Sequence, residues 1–230
     1  MHLPLLKTKD YMKVIITGST GMVGKGVLLE CLGESTIENI LVINRSSVGI
    51  THPKLKEILL PDFSDLRPIT DDVKGFDAMF HCMGVSSMGM DEQKYTKFTY
   101  DITKGFADVL FEKNPEMVFI YVSGQGTDET EKSGMMWARV KGRTENYVLN
   151  KGFKDAYAFR PGAIIPEKGV KSRTGWINIL LIMMKPFFPM MRKMKSITST
   201  VRIGRAMINV TKNPISNKFV DNQDINRIAK

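Results

Sequence analysis

Val14-Ile15-Ile16-Thr17-Gly18-Ser19-Thr20-Gly21-Met22-Val23-Gly24 is the stretch that decides how this chain is read. Residues 14–16 are a β-branched run of the kind a parallel sheet buries on both faces. Glycines follow at 18, 21 and 24. In a nucleotide-binding βα turn the first permits the turn, the second lets a phosphate approach the backbone, and the third lets the helix pack closely on the sheet. The next helix is expected over 22–31, with Val23, Val27, Leu28 and Cys31 on one face. Its N-terminal amides and dipole then favour an anion at the turn. A strand before the glycines and an amphipathic helix after them complete the context that this fingerprint requires.

Working outward, the pattern alternates strand and helix. Strands are expected over 40–43, 55–60, 78–81, 117–122 and 156–159, and a long helix over 92–112 with Phe98, Ile102, Phe106, Val109 and Leu110 inward. That order points to an α/β fold, a Rossmann-type doubly wound parallel sheet with a small C-terminal lobe. The dinucleotide-binding part spans 12–165, and 166–230 is a basic lobe belonging to the same structural domain. The end of the second strand is where such folds choose their cofactor, an acidic residue there favouring NAD. This chain has Asn44-Arg45-Ser46-Ser47 instead. A guanidinium fork suits a phosphate, so NADP is expected over NAD.

Composition bounds the rest. With 230 residues, 43% hydrophobic and 25% charged, the chain has the make-up of one ordinary globular domain. Its opening residues lack the apolar core of a signal peptide, which makes the cytoplasm the expected compartment. Two cysteines exclude a disulfide framework. The net charge of +9 is unevenly placed: from Lys168 onward thirteen Lys and Arg face two Asp, leaving the first 167 residues slightly acidic. Nucleic-acid binding has only this charge in its favour, because no recognised motif accompanies it. Residues 176–191 are strongly apolar but broken by Asn178, Lys185, Pro186 and Pro189, and Arg192-Lys193-Met194-Lys195 follows. This is too short for a membrane span, which needs about 20 apolar residues. It is expected to line a greasy substrate pocket; the alternative is a surface-seeking element that touches an anionic membrane or a protein partner. A helix is expected over 200–212, and Asp221 reads as the cap of a last short one.

The spacing T-G-x-x-G-x-x-G, together with Val140-Lys141-Gly142-x-x-Glu145 and Arg160-Pro161-Gly162, resembles the short-chain dehydrogenase/reductase superfamily. The likeness covers about residues 13–165 and points to the extended and atypical branches, including the Tat-interacting-protein-like oxidoreductases. It implies that Gly18, Thr20, Gly21, Met22, Val23 and Gly24 cradle the dinucleotide, with Asn44, Arg45 and Ser46 at its ribose. Asp62 and Phe63 would border the adenine, although Asp62 also reads as an ordinary cap. Gly84 would let the cofactor pass close to the backbone, and Pro161 and Gly162 would border the nicotinamide. Catalysis in the superfamily uses a serine, here Ser123, and a Tyr-x-x-x-Lys pair, here Trp137-Ala138-Arg139-Val140-Lys141. Lys141 matches; Trp137 stands where the tyrosine belongs. An indole N–H donates a hydrogen bond but does not ionise near neutral pH, so it cannot serve as general acid and base. His81 and a water held by Ser123 and Lys141 are the substitutes, while Tyr147 falls on another helix face and Tyr121 inside a strand. Family members often carry an asparagine on the helix over 92–112, and Asp101 stands near that place. The expected function is an NADP(H)-binding oxidoreductase or epimerase-like enzyme acting on a small molecule. Its alternative is a non-catalytic NADP(H) sensor that regulates a partner.

Overall fold

The computed structural model describes residues 11–171, 175, 183–192 and 194–230. Seven parallel strands form the central sheet in the order β3-β2-β1-β4-β5-β6-β9. These are β1 (Met12–Thr17), β2 (Ile37–Asn44), β3 (Leu55–Leu59), β4 (Ala78–His81), β5 (Val118–Val122), β6 (Asp155–Phe159) and β9 (Phe219–Val220). The order reverses between β1 and β4, whose ends therefore splay apart and open a crevice.

Period-two alternation builds a core on each face of the sheet. Val14 and Ile16 of β1, Ile40 and Val42 of β2, and Phe80 of β4 point to one side, beneath α1 (Met22–Gly33). Ile15, Leu41, Ile43, Met79 and Phe119 point to the other, where Phe106, Ala107 and Leu110 of α3 (Ile102–Lys113) cover them. Between β5 and β6 runs α4 (Met136–Leu149).

The long helix expected over 92–112 is interrupted. It starts as α2 (Glu92–Thr96), passes through a π turn at Lys97–Asp101 and continues as α3. The extra residue in that turn rotates the faces. Tyr95, Thr99 and Thr103 go to the interior, and Phe98 and Ile102 move to the wall of the crevice.

The C-terminal quarter is woven into the sheet. The strand β9 extends it beside β6, and α6 (Thr200–Lys212) lies along α1. Gly26 and Gly204 make that contact close: a Cβ on Gly26 would lie 2.5 Å from Thr200 Cβ, and one on Gly204 2.8 Å from Glu30 Cγ. Beside them β7 (Ala163–Ile165) pairs in parallel with β8 (Ile197–Ser199). A short α5 (Phe188–Met191) sits on that pair, and α7 (Asn222–Ile228), capped by the Asp221 carboxylate, closes the chain. Residues 176–182 of the apolar stretch over 176–191 lie outside the described residues, as do residues 1–10.

Candidate functional site

A cleft of about 470 Å³ opens at the carboxyl ends of β1 and β4. Gly18, Thr20 and Gly21 form one wall, Asn44, Arg45 and Ser46 another, Pro61, Asp62 and Phe63 a third, and Cys82, Met83, Gly84 and Val85 a fourth. Four segments singled out from sequence thus meet in one place. The glycines explain the wall at the turn. Gly18 has φ +70°, and a Cβ there would lie 2.6 Å from the Cys82 carbonyl oxygen; one on Gly24 would lie 2.4 Å from the Gly18 carbonyl oxygen. The turn is therefore folded onto itself and onto the end of β4. A Cβ on Gly84 would meet nothing within 4 Å, so this lining position stands open toward the cleft. Helix α1 begins at this wall with Gly21 as N-cap, which offers no side chain to the first-turn amides. Met22 and Val23 occupy that first turn, and the amide dipoles make it a favourable place for an anion.

The other walls divide into fixed and free groups. Asn44 is buried, and its Nδ2 donates to Ser19 Oγ at 2.8 Å, so it braces the glycine turn. Arg45 and Ser46 are exposed, and the Arg45 guanidinium stands 5.9 Å from the Phe63 ring centroid. Phe63 itself packs edge-on against Phe106 at 5.8 Å. The exposed Asp62 carboxylate accepts from Ser64 N and Oγ, both at 2.8 Å, and these bonds hold its pKa below the usual carboxylate value. Asp62 therefore has the turn-capping role, at a position that still borders the cleft.

The end of β5 carries the second cluster. Lys141 Nζ donates to the Ser123 carbonyl oxygen, and Ser123 Oγ donates to Glu145 Oε1. Burial pulls the Lys141 ammonium below the ordinary lysine pKa, with Glu145 opposing the shift. Glu145 is fully buried and forked by Arg160, with Nε to Oε1 at 3.0 Å and Nη2 to Oε2 at 2.5 Å. Arg160 also pairs with Glu129 at 2.6 Å and lies 4.2 Å from the Phe219 ring centroid. This network explains why the Lys-Gly-x-x-Glu and Arg-Pro-Gly signatures occur together: each supplies one half of a buried ion pair. Nothing local in either motif points to this pairing, because Glu145 sits among other charged residues of α4 and meets Arg160 only in the folded chain. Gly142 lets α4 approach the loop after β5, since a Cβ there would lie 1.7 Å from the Asp128 carbonyl oxygen.

Trp137 is half-buried, and its Cη2 would be 3.1 Å from a Cβ on Gly126, so the indole rests on that loop's backbone. Pro161 and Gly162 lie beside it in space through Gln125, whose N–H donates to the Pro161 carbonyl at 3.0 Å. The Gly162 N–H donates to Asn222 Oδ1 at 3.1 Å, so this turn is tied to α7.

The substitute proton donors sort clearly. His81 is fully buried among Phe106, Phe119 and Tyr121, and desolvation lowers its pKa to about 3. Thr103 Oγ1 donates its one proton to the Thr99 carbonyl at 2.6 Å, so it must accept from His81 Nε2–H at 3.1 Å. That leaves Nδ1 to accept from Thr17 Oγ1 at 3.0 Å. His81 is thus a neutral structural link between β1, β4 and α3. Tyr121 is buried and its phenol is pushed far up by desolvation; Tyr147, in the last turn of α4, donates to Asp108 of α3. Tyr95 is buried, Tyr100 is stacked under Arg143 at 4.1 Å, and Asp101 is exposed to solvent. Beside Ser123, Glu145 is committed to the Ser123 hydroxyl and to Arg160, which leaves Lys141 as the titratable side chain there among the described residues that is not in an ion pair. No group of His, Cys, Asp and Glu among the described residues could hold a metal ion.

Comparison with known proteins agrees with this architecture. Residues 14–133 match the model of the NAD dependent epimerase/dehydratase family. Protein HTATIP2 of Rattus norvegicus is 25% identical over 181 residues, 75% of this chain and 73% of its own. The mitochondrial protein FMP52-1 of Scheffersomyces stipitis is 22% identical over 173 residues, 74% of each chain. Among solved structures, Helicobacter pylori ADP-L-glycero-D-manno-heptose-6-epimerase aligns with a TM-score of 0.70 at 15% identity, over 94% of this chain and 78% of that one. Gre2 of Candida albicans, solved with NADPH, aligns with a TM-score of 0.69 at 12% identity, over 91% and 77%. Likeness at these identities shows the fold.

Proposed function

Because the chain belongs to the NAD dependent epimerase/dehydratase family, we propose that it binds NADP(H) across the β1/β4 crevice and acts as an oxidoreductase whose proton-carrying group is Lys141. The observation that carries the cofactor reading is the four-walled cleft, with an open Gly84 position, a folded glycine turn and the free Arg45 guanidinium around it. The pyrophosphate fits the start of α1, where uncapped amides and the helix dipole meet it. Arg45 and Ser46 fit a phosphate on the adenosine ribose, which is why NADP is preferred to NAD. Asp62 and Phe63 border the adenine, and Lys141, Pro161 and Gly162 mark the nicotinamide end. Bound NADP(H) supplies the hydride.

The chain's own part is positioning and proton handling. Trp137 takes the place of the usual tyrosine and closes the site over Gly126 without an ionisable group. The Lys141 amine, its pKa lowered by burial, sits beside Ser123 where it can hold or pass on a proton. Glu145 holds the Ser123 hydroxyl, and Arg160 holds Glu145.

A second reading has its own support. The Ser123 hydroxyl donates to a carboxylate rather than pointing free, and Trp137 packs where the proton donor belongs; both suit a cofactor sensor that signals to a partner. Calorimetric titration with NADPH and NADH, followed by a panel of aldehydes and ketones, separates the two. Tight NADPH binding with turnover that Lys141→Met removes supports the enzyme. Binding with no turnover, and none gained on Trp137→Tyr, supports the sensor. Binding of neither cofactor would overturn both.

A further inference from the structure

Eight large hydrophobic side chains stand exposed among the described residues, and four of them, Met183, Phe187, Met190 and Met194, fall within twelve positions of the C-terminal quarter. Met183, Phe187 and Met190, spaced four and three apart, share one stripe of the helical turns that run through Lys185–Phe187 and α5, and Met194 follows beyond the end of α5. The neighbouring stripe, Met184, Phe188 and Met191, anchors the segment on Ile165 and Ile197 of the β7–β8 pair. The outward stripe is therefore held in position without being covered, at 71%, 58% and 63% exposure, and Met194 is 48% exposed.

Cations adjoin it. Met194, at its C-terminal end, opens onto a groove lined by Arg192, Lys195, Arg202, Arg205, Arg227 and Lys230, in which Asp224 is the acid. Arg192, Arg205 and Arg227 are held by Glu167, Glu30 and Asp224, while Lys185 and Lys195 form no ion pair with the described residues. Arg202 donates to the Arg192 carbonyl at 3.1 Å and so ties the groove to the stripe.

We propose that this face docks on an anionic phospholipid bilayer, with Phe187, Met190 and their neighbours entering the headgroup and acyl boundary and the lysines and arginines meeting lipid phosphates. Exposed apolar side chains beside a basic groove are the pattern of an in-plane membrane contact, in which both contributions are needed for stable binding. Their complement is a surface apolar beneath and negative above, which an anionic bilayer offers. No helix among the described residues is long and apolar enough to cross a membrane, so the contact is peripheral.

The test is flotation of the full chain with vesicles of phosphatidylcholine alone and of phosphatidylcholine with phosphatidylserine. Phe187→Ser/Met190→Ser and Lys185→Glu/Lys195→Glu are compared with the parent, each checked for an unchanged melting temperature. The parent is expected on the phosphatidylserine vesicles only, and each variant is expected to partition about tenfold less. No flotation of the parent, or equal flotation of either variant, would overturn the proposal. So would a dimer in lipid-free sedimentation that Phe187→Ser/Met190→Ser abolishes, since a second copy of the chain would then be the occupant.

Discussion

Replacing Glu145 by Gln tests the network on which the candidate site hangs. The carboxylate is fully buried, its Arg160 partner has a side chain only 16% exposed, and Glu129 on the other side of Arg160 is half exposed. Removing one member of a buried ion pair costs about 3–5 kcal/mol, because the remaining charge is left uncompensated. Arg160 keeps Glu129 and its place over Phe219, and glutamine keeps a hydrogen-bond acceptor for Ser123, so the lower end, about 3 kcal/mol, applies. For a domain of this size that is a fall in melting temperature of roughly 6–12 °C. Thermal unfolding followed by circular dichroism reads it directly. Glu145→Leu combined with Arg160→Met should lose less than the sum of the two single changes, because it removes both charges together. A Glu145→Gln protein melting within about 2 °C of the parent would refute the reasoning, because the pair would then contribute as little as a surface one.

Gly24→Ala should abolish NADPH binding, since its Cβ would fall 2.4 Å from the Gly18 carbonyl oxygen and prise the turn open; calorimetry with retained affinity would count against that geometry. Arg45→Ala should weaken NADPH by about tenfold or more, the worth of a charged hydrogen bond, and leave NADH nearly unchanged. His81 gives a pH signature: its folded pKa of about 3 lies below the ordinary 6.5, so its contribution to stability is complete above pH 6.5 and is lost as pH falls toward 3. Denaturant unfolding should show stability dropping by up to about 1.4 kcal/mol per pH unit in that window, and His81→Gln should flatten the slope.

Sequence carried the sheet and the cleft further than it carried the chemistry. The glycine turn and the β-branched strands were legible because each is a local pattern with a single structural solution, and the strand ends at Asn44, Asp62 and Gly84 followed from them. The bend at residues 97–101 was not, because a π turn has no composition of its own; only its effect, Thr99 and Thr103 inward and Phe98 outward, reveals it. The link from Glu145 to Arg160 joins residues fifteen apart in sequence across α4 and β6, and no helical or strand period points from one to the other. Likewise the hold that Asn44 keeps on Ser19, and Asn222 on Gly162, depends on tertiary pairing. His81 shows the converse: a histidine beside the expected site is, by its burial and two threonine partners, a neutral brace.

The packing of α6 on α1 has a consequence for the order in which the molecule is made. Helix α1 presents the anion-facing amides, yet its outer face is covered by residues from Ile203 to Val210, about 175 positions later in the chain. During synthesis the first βα unit therefore emerges with Val27, Leu28 and Cys31 lacking their final cover, and β6 lacks its neighbour β9 until Phe219 and Val220 appear. Such distant contacts are slow to form, because the long intervening loop must close first. A ribosome-bound chain halted before residue 200 would hold the complete glycine turn on an unbraced helix, so the nascent protein gains its grip on a dinucleotide only once residues 200–220 have emerged.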